Sequence, residues 1–246
     1  MNLQFSGNRA LITGGSCDLA ICLAGHMITA GLFPILTYRS ENSLNHISES
    51  LKAFEGKYSS VYLDFSDRNS LGSAIRDADP VDFLVDFVQG DFESLIASAD
   101  EDDVYRYFAE NISFRAELVK KVARLMLAKK KGRLIYVSSS AASKPNPGQG
   151  FYAAAKLASE ALYRNLGLEL GARGVTTVTL RPGYINEGRG KVFLESRGET
   201  AIGKVPMKRA LTAEEVSETI LFYLSDSASG FNATEISIDG GLTAGK

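Results

Sequence analysis

The chain has 246 residues, 45% of them hydrophobic, and a formal net charge of −2, which excludes a disordered protein and a basic nucleic-acid-binding protein. The length fits one large domain or two small ones, and no stretch resembles a signal peptide or a membrane span. We therefore expect a cytoplasmic protein without nucleic-acid or membrane partners, without a metal site, and with free thiols at Cys17 and Cys22.

Short apolar runs alternate with amphipathic helical stretches along the whole chain. The predicted strands are 9–13, 33–38, 60–63, 81–88, 133–138, 176–180 and 235–238. The predicted helices are 19–30, 43–55, 67–78, 102–130, 151–170 and 212–225. This alternation predicts a parallel sheet with helices on both faces, which is the doubly wound, Rossmann-type α/β fold, formed as one domain over 1–246. Its ligand cleft should lie at the carboxyl ends of the strands.

The segment 186–208 interrupts the alternation, and it contains several glycines and several basic residues. We predict that it forms a substrate lid over the cleft. A plain surface insertion is the alternative.

The first strand runs into the sequence Thr13-Gly14-Gly15-Ser16-Cys17-Asp18-Leu19-Ala20. A strand, a glycine turn and a helix start predict a dinucleotide site, because the backbone and the helix N-terminus can approach a pyrophosphate. Asp18 conflicts with this prediction. Its carboxylate would repel phosphate if it faced the ligand, whereas the site would survive if Asp18 capped the helix. The sequence leaves both possibilities open.

Arg39 follows the second strand, where a dinucleotide site contacts the adenosine ribose, and no acidic residue stands beside it to bind the ribose diol. A guanidinium at this place can pair with a 2′-phosphate, so the sequence favours NADP(H) over NAD(H). A simple surface cation is the alternative.

Tyr152 and Lys156 lie four residues apart in a run rich in Ala and Leu, so they should share one face of a helix. A cation beside a phenol lowers the pKa of the phenol, which would make Tyr152 a general acid or base near neutral pH.

Several further motifs stand in a fixed order around this pair. They are the Thr13-Gly14 turn, Asp64 after the third strand, Asn111, Ser139 thirteen residues before Tyr152, the run Arg181-Pro182-Gly183-Tyr184-Ile185, and Asp239-Gly240-Gly241. In this combination the chain resembles the short-chain dehydrogenase/reductases over essentially its full length.

The resemblance implies four catalytic residues, Asn111, Ser139, Tyr152 and Lys156. Tyr152 would protonate the substrate carbonyl, Lys156 would lower its pKa and bind the nicotinamide ribose, Ser139 would bind the carbonyl, and Asn111 would hold a relay water. The implied cofactor-binding residues are Gly14, Ser16, Cys17, Leu19, Arg39, Asp64, Phe87, Tyr152, Lys156, Pro182, Gly183 and Ile185.

The chain departs from the family pattern around the cofactor. Asp18 and Ala20 replace two glycines of the turn, and Asp86-Phe87-Val88-Gln89 replaces the Asn-Asn-Ala-Gly that follows the fourth strand. An active enzyme is expected because the catalytic residues are complete. A non-catalytic, cofactor-poor subunit of a reductase complex is an alternative.

Within the family the chain looks most like the 3-oxoacyl-[acyl-carrier-protein] reductases. Those enzymes dock an acidic carrier on basic residues beside the mouth of the active site, and Lys130 and Arg173 stand at matching positions. The expected activity is NADP(H)-dependent reduction of a carrier-bound 3-oxoacyl thioester, with another small alcohol or carbonyl as the alternative substrate. The expected assembly is a homotetramer or homodimer, with a hetero-oligomer as a further possibility.

Overall fold

A computed structural model describes residues 3–244. The strands are β1 (Arg9–Thr13), β2 (Phe33–Tyr38), β3 (Ser59–Tyr62), β4 (Phe83–Asp86), β5 (Gly132–Val137), β6 (Val175–Pro182) and β7 (Thr234–Ile238). The helices are α1 (Asp18–Thr29), α2 (Glu41–Ser50), α3 (Ser70–Ala78), α4 (Glu101–Phe108), α5 (Phe114–Ala128), α6 (Gly150–Leu170), α7 (Gly188–Gly203) and α8 (Ala213–Leu224).

The strands form one seven-stranded sheet in the order β3-β2-β1-β4-β5-β6-β7. Every neighbouring pair is parallel. The predicted doubly wound, Rossmann-type fold is therefore confirmed. The strand order reverses between β1 and β4, and the carboxyl ends of these two strands diverge to leave a crevice for a ligand.

The two faces of the sheet bury separate apolar cores, because successive strand residues point to opposite faces. On one face Ile12, Val85 and Ile135 pack with the inner sides of α1 and α8. On the other face Leu11 and Leu84 pack with α3, α5 and α6. Strands buried on both faces explain the continuous apolar runs in the sequence.

Two predicted elements differ from the structure. The predicted strand 81–88 is shortened to β4, because the Asp86 carboxylate accepts a hydrogen bond from the Val88 N–H at 3.2 Å and the chain turns away. The predicted helix 102–130 is divided into α4 and α5 by a π-helical turn, Ala109–Ser113, that contains Asn111. A π turn widens the helix by one residue and is frequent at functional sites.

Segment 186–208 contains a full helix, α7, which the sequence did not predict. Its hydrophobic pattern is weak because glycines interrupt it, and only Ala201 among its residues is buried. Among residues 3–244, no helix is both long and apolar enough to cross a membrane.

Candidate active site

A cleft of about 1170 Å³ opens at the carboxyl ends of β1, β4, β5 and β6, where the fold predicts it. Nine of the predicted site residues line it: Cys17, Leu19, Phe87, Ser139, Tyr152, Lys156, Pro182, Gly183 and Ile185. The other predicted residues, Gly14, Ser16, Arg39, Asp64 and Asn111, lie outside the described lining. The tertiary fold thus brings together residues from the turn after β1, the wall after β4, α6 and the end of β6.

Tyr152 and Lys156 lie on one face of α6, as the spacing predicts. The Lys156 Nζ lies 5.7 Å from the centre of the Tyr152 ring. It also donates a 2.9 Å hydrogen bond to the main-chain carbonyl of Val137, the last residue of β5. This bond fixes the lysine beneath the cleft, where it is 2% exposed.

The surroundings of this pair shift both pKa values, but not as the sequence suggested. Burial raises the pKa of Tyr152 above its ordinary value, and the neighbouring Ser139 hydroxyl opposes that rise. Burial and, next, the charge of Arg115 lower the pKa of Lys156 to about 7. The expectation of a lowered Tyr152 pKa is therefore wrong for this structure, because desolvation of the phenol outweighs the neighbours that favour its charged form.

Ser139 is the member of its serine triplet whose hydroxyl neighbours the Tyr152 phenol. Ser138 donates its hydroxyl proton to Glu160, which also binds Arg181. The Ser139 Oγ accepts a local bond from the Ala141 N–H, at 3.1 Å, and its hydroxyl neighbours the Tyr152 phenol. This difference agrees with the spacing argument that favours Ser139.

Asn111 lies in the π turn and is 1% exposed. Its amide donates to the Tyr107 carbonyl at 2.8 Å and accepts from the Gly90 N–H at 2.8 Å. Its main-chain carbonyl accepts a bond from the Arg115 guanidinium. The side-chain amide and the main-chain carbonyl of Asn111 thus all have hydrogen-bond partners within the protein. The predicted relay water would have to bind Asn111 at a carbonyl that already accepts a bond from Arg115.

The turn after β1 has the close packing that requires glycine. Gly14 has a φ of +68°, and a Cβ on Gly15 would lie 2.6 Å from the Leu36 Cβ. The turn leads to Cys17, the N-cap residue of α1, and no described side chain caps this helix end. The free N–H groups of the first turn of α1 therefore face the cleft, as binding of a pyrophosphate requires.

Asp18 is the first residue of α1 and not its cap. Its carboxylate is about half exposed, lines the cleft, and lies 3.3 Å from the His46 Nε2 on α2. Asp18 therefore does not cap α1. Its negative charge stabilises the helix N-terminus, but the carboxylate lies where a phosphate would bind.

Replacement of Asp18 by asparagine is expected to tighten NADPH binding about fivefold at low salt. The reason is that two like charges in contact cost about 1 kcal/mol in water. Isothermal titration at low and high salt measures the change, which should shrink as salt screens the charge. Asp102→Asn, at an exposed first-turn acid of α4, is the matched control and should change nothing. Unchanged or weaker binding by the Asp18 variant would contradict this interpretation.

The residues predicted for the adenosine end, Arg39 and Asp64, follow β2 and β3. Arg39 is exposed between the end of β2 and Ser40, the N-cap of α2. The Asp64 Oδ1 accepts bonds from the Ser66 N–H at 2.9 Å and from the Ser66 hydroxyl at 2.8 Å. These bonds stabilise the turn after β3, and an adenine contact by Asp64 stays a prediction.

Sequence reasoning missed a buried ion pair beneath the cleft. The Arg115 Nε donates to the Asp86 Oδ2 at 2.8 Å, and both side chains are 0% exposed. A signal was present, because Asp86 replaces a neutral Asn of the family pattern and Arg115 interrupts an otherwise apolar face of α5. No local pattern connects the two, since they lie 29 positions apart in the sequence.

Helix α7 borders the open side of the cleft. Arg189, Val192, Phe193 and Ser196 line the cavity, and the Phe193 ring stacks on Tyr184 at 5.5 Å. The Arg189 Nη1 lies 3.7 Å from the Asp91 carboxylate on the opposite rim. This position fits the predicted lid over 186–208, and its movement stays a prediction.

Lys130 and Arg173 do not flank the mouth of their own cleft, contrary to the expectation for a carrier-docking surface. Both precede the amino ends of their strands, β5 and β6, whereas the cleft lies at the carboxyl ends. The length of β5, at about 3.3 Å per residue, separates them from the cleft by about 20 Å. Parallel strands impose this separation, because residues before and after a strand emerge at opposite edges of the sheet.

A doubly wound sheet whose cleft contains a Tyr–Lys pair and a helix N-terminus defines a nucleotide-dependent oxidoreductase. A family model described as Enoyl-(Acyl carrier protein) reductase matches residues 18–243. The chain belongs to the short-chain dehydrogenase/reductase family.

Individual relatives agree with this membership. The chain is 29% identical over 244 residues to the 3-oxoacyl-[acyl-carrier-protein] reductase FabG of Salmonella typhimurium, covering 98% of this chain and 99% of that protein. It is 28% identical over 244 residues to FabG of Escherichia coli K12, with the same coverage. A solved structure described as a short chain dehydrogenase/reductase family protein has a TM-score of 0.88 and 27% identity, covering 100% of both chains.

Proposed function

We propose that this oxidoreductase uses NADP(H) to reduce a ketone to a secondary alcohol, and that its substrate is a 3-oxoacyl thioester carried by acyl carrier protein. The observation that carries the proposal is that Ser139, Tyr152 and Lys156 meet in one open cleft. The substrate class comes from the full-length similarity to reductases of that name.

A bound nicotinamide supplies the hydride, and the protein supplies orientation and proton transfer. The Ser139 hydroxyl hydrogen-bonds the substrate carbonyl oxygen and holds it beside Tyr152. Tyr152 donates its proton to that oxygen, which suits a phenol whose raised pKa keeps it protonated at neutral pH. Lys156, whose pKa is about 7, then returns a proton to the Tyr152 oxygen.

The proposed preference for NADP(H) rests on the adenosine end. Arg39 is exposed directly after β2, where a 2′-phosphate would lie, and a guanidinium binds phosphate with two parallel hydrogen bonds. Pro182 and Gly183 at the end of β6, together with Ile185, would border the nicotinamide. A Cβ on Gly183 would lie 2.8 Å from the Asp239 Cα, so the chain there is held close against β7.

A second candidate substrate is a small polar ketone or alcohol. Asp91, Glu93, Lys144 and Gln149 line the outer cleft beside Arg189, so this part of the cavity is charged rather than uniformly apolar. The same three catalytic residues would act on such a substrate. The two candidates differ only in what the outer cleft contacts.

Carrier docking in this chain requires a second copy. Two-fold packing of α5 and α6 against the same helices of another subunit, which is usual in the family, would place Lys130 of one copy near the cleft of the other. Exposed apolar side chains on α4 and α6, including Tyr105 at 78% and Leu168 at 69%, are compatible with such an interface. Lys130 and Arg173 would then attract the acidic carrier to the neighbouring cleft.

The test is NADPH oxidation with a 3-oxoacyl thioester presented either on acyl carrier protein or on a short pantetheine analogue. We expect turnover with both, and we expect Lys130→Glu to raise KM about tenfold for the carrier substrate only, because a docking cation acts on encounter. Lys52→Glu, at a cation remote from the cleft, is the control. Turnover of small polar ketones alone would favour the second candidate, and equal effects on both thioesters would exclude carrier docking by Lys130.

A further inference from the structure

The buried Asp86 carboxylate has a complete set of hydrogen-bond partners. Its Oδ1 accepts from the Thr13 hydroxyl at 2.6 Å and from the Val88 N–H at 3.2 Å. Its Oδ2 accepts from the Arg115 Nε at 2.8 Å and from the Tyr163 hydroxyl at 3.0 Å. A buried ion pair offsets its desolvation cost only when it is satisfied in this way.

Arg115 connects this ion pair to the segments that contain the predicted catalytic residues. Beyond Asp86, its guanidinium donates to the main-chain carbonyls of Asn111 and Val88 and, at 3.0 Å, to the Ser159 hydroxyl. Val88 follows Phe87 in the cleft wall, and Ser159 lies nearly one turn after Lys156 on α6. One side chain therefore binds three segments that hold predicted site residues.

Arg115 and Lys156 both contact the Tyr136 ring, and the Arg115 charge acts on Lys156. The Arg115 guanidinium carbon and the Lys156 Nζ each lie 5.1 Å from the centre of the Tyr136 ring. The other charged or titratable groups that face Lys156 come from every element around it: Asp86 on β4, Glu160 and Tyr152 on α6, and Arg189 on α7. Burial lowers the pKa of Lys156 most, Arg115 and Arg189 lower it further, and Asp86 and Glu160 oppose them.

We propose that Arg115, paired with Asp86, is a positioning residue of the reaction: it binds the main-chain carbonyl of Asn111, the residue to which the family resemblance gives a relay water, and it fixes the charge near Lys156. The inference rests on the proposed function, because it concerns how the lysine of that reaction recovers its proton. It also explains why the family's neutral Asn-Asn-Ala-Gly wall could be replaced. The guanidinium holds the Asp86-Phe87-Val88 wall in place and neutralises the carboxylate that the replacement introduced.

The proton path follows from this arrangement. Tyr152 gives its proton to the carbonyl oxygen, and Lys156 passes one of its protons to the Tyr152 oxygen. The neutral lysine then takes a proton from hydronium or a buffer acid that enters the open cleft from bulk solvent, because Arg115 already binds the Asn111 carbonyl on the inner side. Each proton that reaches the product alcohol is thus replaced from the open side.

The test is the titration of Lys156 in cofactor-free protein, followed by NMR of carbon-13 at the lysine ε-carbon. The signal is assigned by its loss in Lys156→Arg. Arg115→Met should raise the midpoint by about one pH unit, because the lysine loses a neighbouring cation, and Asp86→Asn should lower it by a similar amount. The double variant should lie between the two single variants, and Arg115→Lys should restore the midpoint of the wild type. The pH profile of kcat should shift in the same order.

Arg133→Met is the matched control, because Arg133 is a buried arginine at the opposite end of β5 that bonds the Tyr223 and Ser225 carbonyls. It should lower stability and leave the Lys156 midpoint unchanged. If Arg115→Met does not fold, Asp86→Asn and the double variant still decide the order of midpoints.

A Lys156 midpoint that is the same in all folded variants, or that moves in the opposite order, overturns the inference. A failure of the proposed function can be told apart from a failure of this inference. A wild type that reduces no 3-oxoacyl thioester, but whose Lys156 midpoints follow the expected order, would refute the substrate and keep the positioning role.

Discussion

Tyr152→Phe is expected to lower kcat for ketone reduction about a thousandfold, because a positioned general acid contributes roughly 10²–10⁴ to a rate. The phenol neighbours the Ser139 hydroxyl that would hold the carbonyl, and it is protonated at neutral pH because burial raises its pKa above the ordinary value. The ring itself would remain packed in the cleft and over Lys156, so the loss should fall on kcat and not on cofactor affinity. Single-turnover kinetics with NADPH in excess measures the chemical step directly.

The fold and the cofactor site are the controls for this variant. The melting temperature and the dissociation constant for NADPH should match the wild type, and Tyr223→Phe, at a half-buried tyrosine outside the cleft, should keep full activity. Reduction at the wild-type rate by Tyr152→Phe would exclude Tyr152 as the acid. A loss accompanied by unfolding would instead indicate a packing role.

Arg115→Ala is expected to cost about 3–5 kcal/mol in the free energy of unfolding, because it leaves the buried Asp86 carboxylate without its counterion. For a protein of this size the melting temperature should fall by roughly 2–4 °C for each kcal/mol, so by about 10 °C. Scanning calorimetry and urea unfolding measure the loss.

Two further variants distinguish an uncompensated charge from lost packing. Asp86→Asn with Arg115→Met removes both charges together and should recover most of the lost stability, since apolar replacements of a buried pair are often tolerated. Arg209→Ala breaks the exposed pair with Glu215 and should change the melting temperature little, because solvent screens such pairs. Equal losses for Arg115→Ala and for the double variant would show that packing, not charge, dominates.

Local patterns were sufficient to predict much of the fold. The bounds predicted for β1 and β2 match the structure, and a capping box at Thr212 and Glu215 starts α8 as its sequence indicates. Features that lack a local pattern were not predicted. Helix α7 was expected as irregular lid sequence, and the π turn at Asn111 was hidden within one continuous helical period.

The features of the candidate site also divide into those that the sequence predicts and those that it does not. Spacing indicates Tyr152 and Lys156, the family resemblance adds Ser139, and the cleft brings the three together. The direction in which the Tyr152 pKa shifts could not be predicted from the sequence, because it depends on burial at the bottom of the cleft. Sequence spacing indicates which residues are close together, but not how far they are desolvated. The position of Lys130 was mistaken because a motif gives a place along the chain and not an edge of the sheet.

The sequence by itself determined the order of strands and helices, the edge at which the cleft opens, and the face of α6 that carries Tyr152 and Lys156. These follow from periods of two and 3.6 residues and from the geometry of parallel strands. Only the tertiary structure decided that Asp86 and Arg115 neutralise each other beneath the cleft, and that burial lowers the pKa of Lys156 there. Both depend on contacts between residues far apart in the chain and on the exclusion of water, and no local pattern encodes either one.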